Sequence, residues 1–413
     1  MKLFGIYIFI ACLFFIGCEE DKRGPIEDDD RAPGIVTDVT VKNLAGRSVI
    51  KYKLPDDSDL LYIKAKYQLN NDVKRVVSAS IYSDSLVVDG FGDDKEYNIE
   101  VFAVDRSENE GEVVDVKVNP LEPPIKTIKE SLELKNTFGG VNIRWENVTN
   151  APVAIVVMIE DTADTGKPFL EAEVIYTSAT EGNFNVRGFD TTERDFYCYV
   201  RDRWNNYSDT LSQLIEPLFE IEIDKANFEE VILPNDHEMW PFYSSGPSTI
   251  PRLWNNELWN ENGRLAGAIG TMGDYAFTFD LGQEVKLSRF KVNMFNINNR
   301  SGWLDLFLYD DAQVRHFDIF GATTLDPTGS WDSWTKIGTY EMWKPSGLPP
   351  GAWNYTDEDK ELAYNGHEFE VPLEMGNVRF IRVNVLSTWG DLNWASIAEM
   401  TFWGQPETGD VTQ

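Results

Sequence analysis

One strand-and-turn pattern occurs twice in the sequence: residues 97–109 read YNIEVFAVDRSEN, and residues 196–206 read FYCYVRDRWNN. The first copy alternates polar and apolar residues, which is the two-residue period of a half-buried β-strand. Both copies end in Asp-Arg-x-x-Asn, a pattern that favours a tight turn because Asp and Asn side chains bond their own backbone. Asp105 and Asp202 are 97 residues apart. A repeat of about 100 residues with short strands is the size of an immunoglobulin-like or fibronectin-type sandwich.

The repeat predicts two sandwich modules in series, at residues 32–121 and 122–218. Residues 44–52 resemble residues 138–145 at nearly the same offset, which supports the repeat. The Asp-Arg pairs resemble parts of an active site, but a turn with a salt bridge is the better interpretation because the element occurs twice. The prolines between residues 119 and 124 predict a stiff linker, so the two modules are expected to act as a stalk.

The N-terminus indicates export and membrane anchoring. Residues 3–16 are apolar and too short to span a bilayer, and the segment ends at Phe15-Ile16-Gly17-Cys18, which resembles a bacterial lipobox. We therefore predict a lipoprotein signal peptide at 1–17, lipidation of Cys18 and an acidic tether at 18–31. Acidic residues directly after the lipidated cysteine resemble the surface-export signal of Bacteroidota lipoproteins. The resemblance implies a lipid-anchored protein exposed on the outer membrane.

Charge and cysteine content exclude several classes of function. The formal net charge is −32 at pH 7, which excludes non-specific nucleic-acid binding because that requires a cationic face. Only Cys198 remains after processing and lipidation, so no intrachain disulfide is expected. A lone cysteine in an apolar strand is interpreted as a small buried side chain.

The segment at 219–406 has a different character, and residues 407–413 are predicted to be a disordered tail. Residues 276–282 (AFTFDLG), 378–385 (VRFIRVNV) and 397–404 (IAEMTFWG) are strand-like and occur in an order that resembles the discoidin, or coagulation factor type C, domain. This resemblance implies a galactose-binding-like β-jelly-roll. The predicted fold is therefore all-β, with two immunoglobulin/fibronectin-like sandwiches followed by this jelly-roll.

The whole chain resembles a three-module family of Bacteroidota lipoproteins encoded with polysaccharide-uptake systems. The residues that carry the resemblance are 202–209 (DRWNNYSD), 344–349 (KPSGLP) and 388–390 (TWG). The resemblance implies capture of a polysaccharide or oligosaccharide at the cell surface, with an outer-membrane glycan transporter complex as a further partner.

Tryptophan is concentrated in the third segment, which holds eleven of the thirteen in the chain. Exposed indoles are costly unless a ligand covers them, and a flat ring suits the apolar face of a sugar. Core positions are predicted for Trp145, Trp204, Trp254, Trp334 and Trp403, whereas Trp240, Trp331 and Trp343 stay undecided. The predicted ligand-binding residues lie in polar loops and are Trp259, Trp303, Trp353, Trp389, Trp394, Arg300 and Tyr355.

The discoidin-like resemblance also implies a structural calcium ion. Its positions here match Asn255, Asn256 and Glu399, and oxygen ligands of this kind suit Ca²⁺. An Asp-Gly turn is commoner in the family at the two asparagines, so this sequence lacks a charged ligand there. The alternative for Glu399 is an edge-strand salt bridge.

No motif supports an enzyme. The three histidines have no metal-ligand spacing, and the sequence has no Gly-x-Ser-x-Gly elbow and no glycine-rich phosphate loop. Acidic residues are abundant, but abundance alone does not identify a glycosidase pair. We therefore predict a non-catalytic glycan-binding lipoprotein. The alternative is a structural or adhesive partner of another outer-membrane protein.

Overall fold

The computed structural model describes residues 29–69, 73–161, 168–241, 248–258, 265–267, 270, 273–295 and 308–407. The chain forms two compact units. Unit 1 runs to Glu133 and adds 143–184 and 195–213, while unit 2 comprises 134–142, 185–194 and the chain from Leu214 onward. Both are built of antiparallel sheets, which confirms the all-β prediction. Among the described residues, no helix has the length and apolar character needed to cross a membrane.

The first strands of unit 1 form two antiparallel sheets, ordered β1-β2-β5 and β4-β3-β6-β7. Alternating burial explains why they pack face to face: Ile50, Ile63 and Ile99 point into one core, and their neighbours along each strand are more exposed. The strands are β1 (Thr37–Leu44), β2 (Arg47–Lys53), β3 (Leu60–Gln68), β4 (Lys74–Ser80), β5 (Ser85–Asp89), β6 (Tyr97–Asp105) and β7 (Val114–Val118).

The middle part of the chain begins with a short helix that the sequence analysis did not predict. Pro124 starts this helix, where its missing N–H costs nothing, and Ile125 and Ile128 are buried. In unit 1, a strand buried along most of its length pairs antiparallel with one neighbour on each side. The elements are α1 (Pro124–Ser131), β8 (Glu133–Thr137), β9 (Gly140–Glu146), β10 (Val153–Glu160), β11 (Phe169–Thr177), β12 (Glu181–Val186), β13 (Arg194–Asp202) and β14 (Leu211–Ile215). Strand β10 is the buried one, and β11 and β13 flank it.

The repeated Asp-Arg-x-x-Asn element forms the predicted turn in both copies. Asp105 Oδ1 accepts hydrogen bonds from the backbone N–H groups of Ser107 and Asn109, both at 2.9 Å. In the second copy, Asp202 Oδ1 accepts from the N–H groups two and four residues later, at 2.8 and 3.0 Å. These bonds confirm the interpretation of the aspartates as turn residues.

Unit 2 contains one large sheet, ordered β15-β24-β18-β22-β19-β20, with two short strands paired to β18. The elements are β15 (Ile221–Glu222), β16 (Glu229–Val231), β17 (Leu265–Ala266), β18 (Tyr275–Asn293), β19 (Val314–Ala322), β20 (Thr335–Glu341), α2 (Asp357–Asn365), β21 (His367–Glu370), β22 (Val378–Thr388), β23 (Ser396–Ile397) and β24 (Glu399–Pro406). Strands β16 and β21 are the two that pair with β18. The inward faces of these strands enclose an aromatic-rich core.

Strand β18 is longer than predicted, because the Asp-Leu-Gly segment bends the strand without ending it. The register to β22 shifts between Asp280 and Val285, and Gly282 has φ of +77°. A Cβ at Gly282 would lie 2.4 Å from the backbone oxygen of Asn227, so only glycine fits. The first half of β18 therefore pairs with β22, and the second half pairs with β24.

Candidate ligand-binding surface

Three loops of unit 2 meet at one end of its sheet: residues 308–313, 342–356 and 388–396. The backbone N–H of Gly390 donates to the carbonyl of Asp311 at 2.8 Å, which joins the last loop to the first. Loops at one end of a rigid sandwich are the usual place for binding residues.

Lys344 holds the middle loop together from the inside. Its side chain is buried, and the ammonium donates to the backbone carbonyls of Pro349, at 3.3 Å, and Asn354. The same ammonium lies 5.5 Å from the ring centroid of Tyr309 in the first loop. Burial lowers the pKa of Lys344 because the charged form loses its hydration. One cation thus fixes two turns of the loop and packs the loop against its neighbour.

Asp359 ties the same loop to helix α2. Its carboxylate accepts hydrogen bonds from the backbone N–H and hydroxyl of Ser346, at 2.8 and 2.6 Å. It also accepts the N–H of Thr356, whose hydroxyl accepts the N–H of Asp359 in return, and this reciprocal arrangement is a capping box. Although burial opposes ionisation, these hydrogen bonds hold the pKa of Asp359 below its usual range.

Trp353 projects from this fixed loop. Its side chain is 51% exposed, and its backbone has φ of +63°. The N–H of Asn354 donates to the carbonyl of Gly351 at 3.0 Å, so Trp353 is the third residue of a four-residue turn. That position with positive φ is normally filled by glycine or asparagine. A bulky residue there is a backbone outlier, and such outliers concentrate at ligand-binding sites.

Trp389 has the opposite environment, although its loop is also polar. The side chain is 5% exposed and belongs to the core of unit 2. Its ring makes an edge contact with Tyr309, with centroids 5.2 Å apart, and the guanidinium of Arg315 lies 4.5 Å from the ring centroid. Trp389 therefore does not enter the ligand surface that we propose.

The other predicted binding residues fall into two groups. Trp394 and Tyr355 are half-buried, and Tyr355 packs against the core. Trp259, Trp303 and Arg300 lie outside the described residues. The lipidation residue Cys18 and the predicted signal peptide also lie outside them.

Two of the five rings that were assigned to the core are buried, and the other three are half-buried. Trp145 and Trp334 are buried, which confirms those two assignments. Trp204, Trp254 and Trp403 are half-buried.

The predicted calcium position contains a lysine that the sequence analysis did not consider. Asn256 and Glu399 do come together: the Asn256 N–H donates to Glu399 Oε2 at 3.1 Å. The ammonium of Lys225 lies 2.5 Å from Glu399 Oε1 and 3.3 Å from Asn256 Oδ1, so it is bound between the two side chains. Burial raises the pKa of Glu399, and Lys225 opposes that shift. Calcium binding remains a prediction, and it requires Lys225 to leave Glu399.

His367 supports the start of the loop that carries Trp353. It is fully buried, and its Nε2–H donates to the backbone carbonyl of Trp343 at 2.7 Å. Burial lowers the pKa of His367 to about 4, so the imidazole is neutral at pH 7. Its role is structural.

The sequence analysis missed two residues that matter at this surface. Lys344 lies in the family-motif segment 344–349, and no local pattern indicates that its ammonium binds carbonyl groups inside the loop. Trp343, which was undecided, is 43% exposed. It lies directly before Lys344, and its carbonyl is the group that His367 binds.

Three family models match the chain, and each is described as a domain of unknown function. DUF4959 matches residues 33–120, DUF5126 matches 121–226, and DUF5000 matches 254–404. No curated protein matches the sequence of this chain.

Several solved structures are similar to the chain. A SusE-like protein, BT2857, is 29% identical, with 69% of this chain and 100% of that chain covered and a TM-score of 0.43. A two-domain fibronectin type III segment of chicken tenascin is 13% identical, covering 44% of this chain and 99% of that chain with a TM-score of 0.22. A GH31 CBM32-2 structure bound to GalNAc is 13% identical, covering 42% of this chain and 94% of that chain with a TM-score of 0.25.

Proposed function

We propose that this chain is a non-catalytic, cell-surface glycan-binding lipoprotein with a SusE-like role in a polysaccharide-utilisation system. In this proposal, two fibronectin-like modules carry a discoidin-like domain that binds the glycan and passes it to an outer-membrane transporter complex. The observation that carries the proposal is Trp353, a half-exposed indole on a strained backbone in a loop that is otherwise closely held.

The chemistry of this loop fits a sugar ring. An indole offers a flat apolar face to the C–H groups of a pyranose, and it loses little conformational freedom because it has only two rotatable side-chain bonds. Lys344 and Asp359 fix the loop before ligand arrives, which lowers the entropy lost on binding. Asn354 and Tyr355 follow directly in sequence and supply polar groups for hydroxyls.

The proposal is tested by measuring binding of residues 19–413, which omit the signal peptide and the lipidated Cys18, to a panel of soluble polysaccharides. The panel contains neutral chains (galactan, xyloglucan and α-mannan) and two acidic ones (polygalacturonate and heparin). We expect micromolar affinity for a neutral or weakly acidic member, and no binding of heparin because the protein carries a net charge of −32. Isothermal titration calorimetry gives the affinity.

Two variants locate the binding site. Trp353→Ala should weaken binding at least about tenfold, since a few exposed aromatic rings dominate such interfaces. The melting temperature should stay unchanged, because the ring is half-exposed. Tyr82→Ala is the matched control, because Tyr82 is an exposed ring (94%) in unit 1. Absence of binding to every polysaccharide, or equal binding by Trp353→Ala and the wild type, would refute the proposal.

The lipid anchor is tested separately. Growth with an alkyne-labelled fatty acid should label the wild-type chain in a Bacteroidota host, and Cys18→Ser should remain unlabelled. Proteinase K added to whole cells should degrade the wild-type protein, since the proposal places the chain on the outside of the outer membrane. Protection from the protease would contradict surface exposure.

Calcium binding is the remaining part of the proposal, with Asn255, Asn256 and Glu399 as ligands. Removal of Lys225 in Lys225→Met leaves the Glu399 carboxylate without its cation, so calcium should raise the melting temperature of this variant more than that of the wild type. Calcium at about 10 mM is roughly tenfold above the weakest affinity of extracellular sites. If calcium at that concentration and EDTA give identical melting curves for both proteins, the calcium proposal fails.

The alternative function, a structural or adhesive partner of another outer-membrane protein, makes a different prediction. In that case Trp353→Ala would disrupt a complex recovered by cross-linking on intact cells while no polysaccharide bound the purified chain.

A further inference from the structure

A second feature of unit 2 lies on the outer face of its sheet, away from the core. Along β22, Ile381 and Val383 point into the core, so Arg382 and Asn384 are on the opposite face. The register places Asn384 between Ala276 of β18 and Asp318 of β19. This face therefore carries polar residues in the middle of the sheet.

Arg382 is the buried, charged residue of this face. It is fully buried, and its Nη2 lies 3.0 Å from Asp236 Oδ1 while its Nη1 donates to the carbonyl of Gly329 at 3.1 Å. Asp236 is held in turn by the N–H of Leu233 and the hydroxyl of Thr278, at 3.0 and 3.1 Å. The charge is thus paired and hydrogen-bonded, which a buried guanidinium requires.

An aromatic platform is built on this ion pair. The guanidinium carbon of Arg382 lies 3.9 Å from the ring centroid of Trp331, and Phe320 contacts the same indole with centroids 4.8 Å apart. Trp331 nevertheless remains 38% exposed. The indole is therefore fixed from below by a buried cation while part of its surface faces outward.

Beside the platform lies an open cavity of about 590 Å³. Its lining includes Asn384, whose side-chain Oδ1 is buried and has no hydrogen-bond partner among the residues that the structure describes. A buried acceptor left unpaired is destabilising, and a hydrogen-bond donor from a ligand would relieve that cost. The lining residues are Asn235, Gly273, Asp274, Ala276, Phe320, Trp331 and Asn384.

We propose that this cavity is a second carbohydrate-binding site, which takes one neutral sugar residue against Trp331. The indole supplies the stacking surface, while Asn384 Oδ1 and the Asp274 carboxylate accept hydrogen bonds from hydroxyl groups. A site formed by acceptors and an aromatic ring selects a ligand with donors and an apolar face, which describes a pyranose. An anionic sugar is disfavoured because the Asp274 carboxylate lines the cavity.

This site is independent of the Trp353 loop, because it uses no residue of that loop. Two sites on one domain would bind one polysaccharide chain more strongly than either alone, since the second binding event is intramolecular. The second site therefore extends the proposed function, and it can be absent even if the Trp353 loop binds a glycan.

The site is tested by ¹⁹F NMR of residues 19–413 labelled with 5-fluorotryptophan. The probes are the methyl glycosides of galactose, glucose and mannose, and each resonance is assigned by Trp→Phe substitution. We expect at least one glycoside to shift the Trp331 resonance saturably and to leave that of buried Trp334 unchanged. Asn384→Ala should weaken this binding at least fivefold, and Trp353→Ala should leave it unchanged.

Three results would overturn the second site. One is a Trp331 resonance that no methyl glycoside shifts, and another is equal affinity in Asn384→Ala and the wild type. The third is a shift produced by tetramethylammonium and by none of the sugars, which would identify a cation site. A shift of the Trp353 resonance alone would support the proposed function and reject this inference, so the two outcomes are distinguishable.

Discussion

Two tryptophans with similar sequence surroundings have opposite environments at the same end of unit 2. Trp353 follows Pro-Pro-Gly-Ala and Trp389 precedes Gly-Asp, and both segments have the composition of a loop. Trp353 is half-exposed on a left-handed backbone, whereas Trp389 is buried against Tyr309. The difference arises from the neighbouring loop: Tyr309 contacts Trp389 on one side and the Lys344 ammonium on another.

Exposed and buried rings in this domain are held in place in different ways. A structural ring gains its stabilisation from apolar burial, so the backbone around it adopts whatever conformation permits packing. An exposed ring gains nothing from burial and has to be held by its backbone. At Trp353, Lys344 and Asp359 provide that support through hydrogen bonds.

The largest expected effect comes from truncation of the buried ring. Trp389→Ala should lower the free energy of unfolding by about 3–5 kcal/mol, because it opens a cavity in the core. Chemical denaturation followed by circular dichroism measures this loss. Trp389→Phe, which keeps a ring, is the control and should lose much less. A Trp389→Ala protein as stable as wild type would show that burial of this ring does not stabilise the domain.

A smaller loss is expected when the internal cation of the exposed-ring loop is removed. Lys344→Met keeps the length of the side chain and removes its hydrogen bonds to two carbonyls, so we expect a loss of about 1.5–3 kcal/mol. Glycan affinity should fall as well, because the Trp353 loop is no longer fixed before binding. Unchanged affinity in this variant would show that pre-organisation of the loop does not matter.

The pH dependence tests the support given by His367. Its pKa is about 4 in the folded state and about 6.5 when unfolded. The unfolded chain therefore takes up the proton first, and stability falls as the pH drops below about 6.5 towards 4. Between pH 7 and 5 this group should cost about 2 kcal/mol. Urea denaturation at both pH values measures the change, and His367→Gln should show a smaller loss over the same interval.

The smallest effect concerns the backbone strain at Trp353. Glycine is normally less favourable than alanine within ordered structure, but at positive φ the preference is reversed. Trp353→Gly should therefore be at least as stable as Trp353→Ala, with a difference of up to about 1 kcal/mol. The matched pair at Lys360 in α2 should show the opposite order, with glycine less stable than alanine by about 1 kcal/mol. If the glycine and alanine variants rank in the same order of stability at both positions, the backbone at Trp353 is not strained.

Much of the fold could be predicted from local patterns. Alternating residues predicted the antiparallel sheets, and Asp105 and Asp202 form the turns that their spacing indicated. Helix α1 was missed because its start coincides with prolines that also indicate a linker. Strand β18 extends beyond the predicted segment 276–282, because an Asp-Leu-Gly segment is typical of both a turn and a bulge and local sequence does not distinguish them.

The candidate sites depended on contacts between residues far apart in sequence. Lys225 and Glu399 are separated by 174 residues, so no local pattern indicated that an ammonium would lie at the predicted calcium position. The outer-face cavity likewise depends on strand register, which places Asn384 beside Ala276 and Asp318. Trp331 was undecided because its support comes from Arg382, on another strand.

Strand periodicity and the two repeated turns follow from local sequence, since each depends on neighbours within a few residues. The acidic, tryptophan-rich composition likewise requires no knowledge of the fold. The folded structure was needed to show which indoles are exposed, which cation neutralises Glu399, and which buried amide oxygen lacks a partner among the described residues. These properties depend on the free energy of burial and pairing, and that free energy is defined only after distant strands have taken their register.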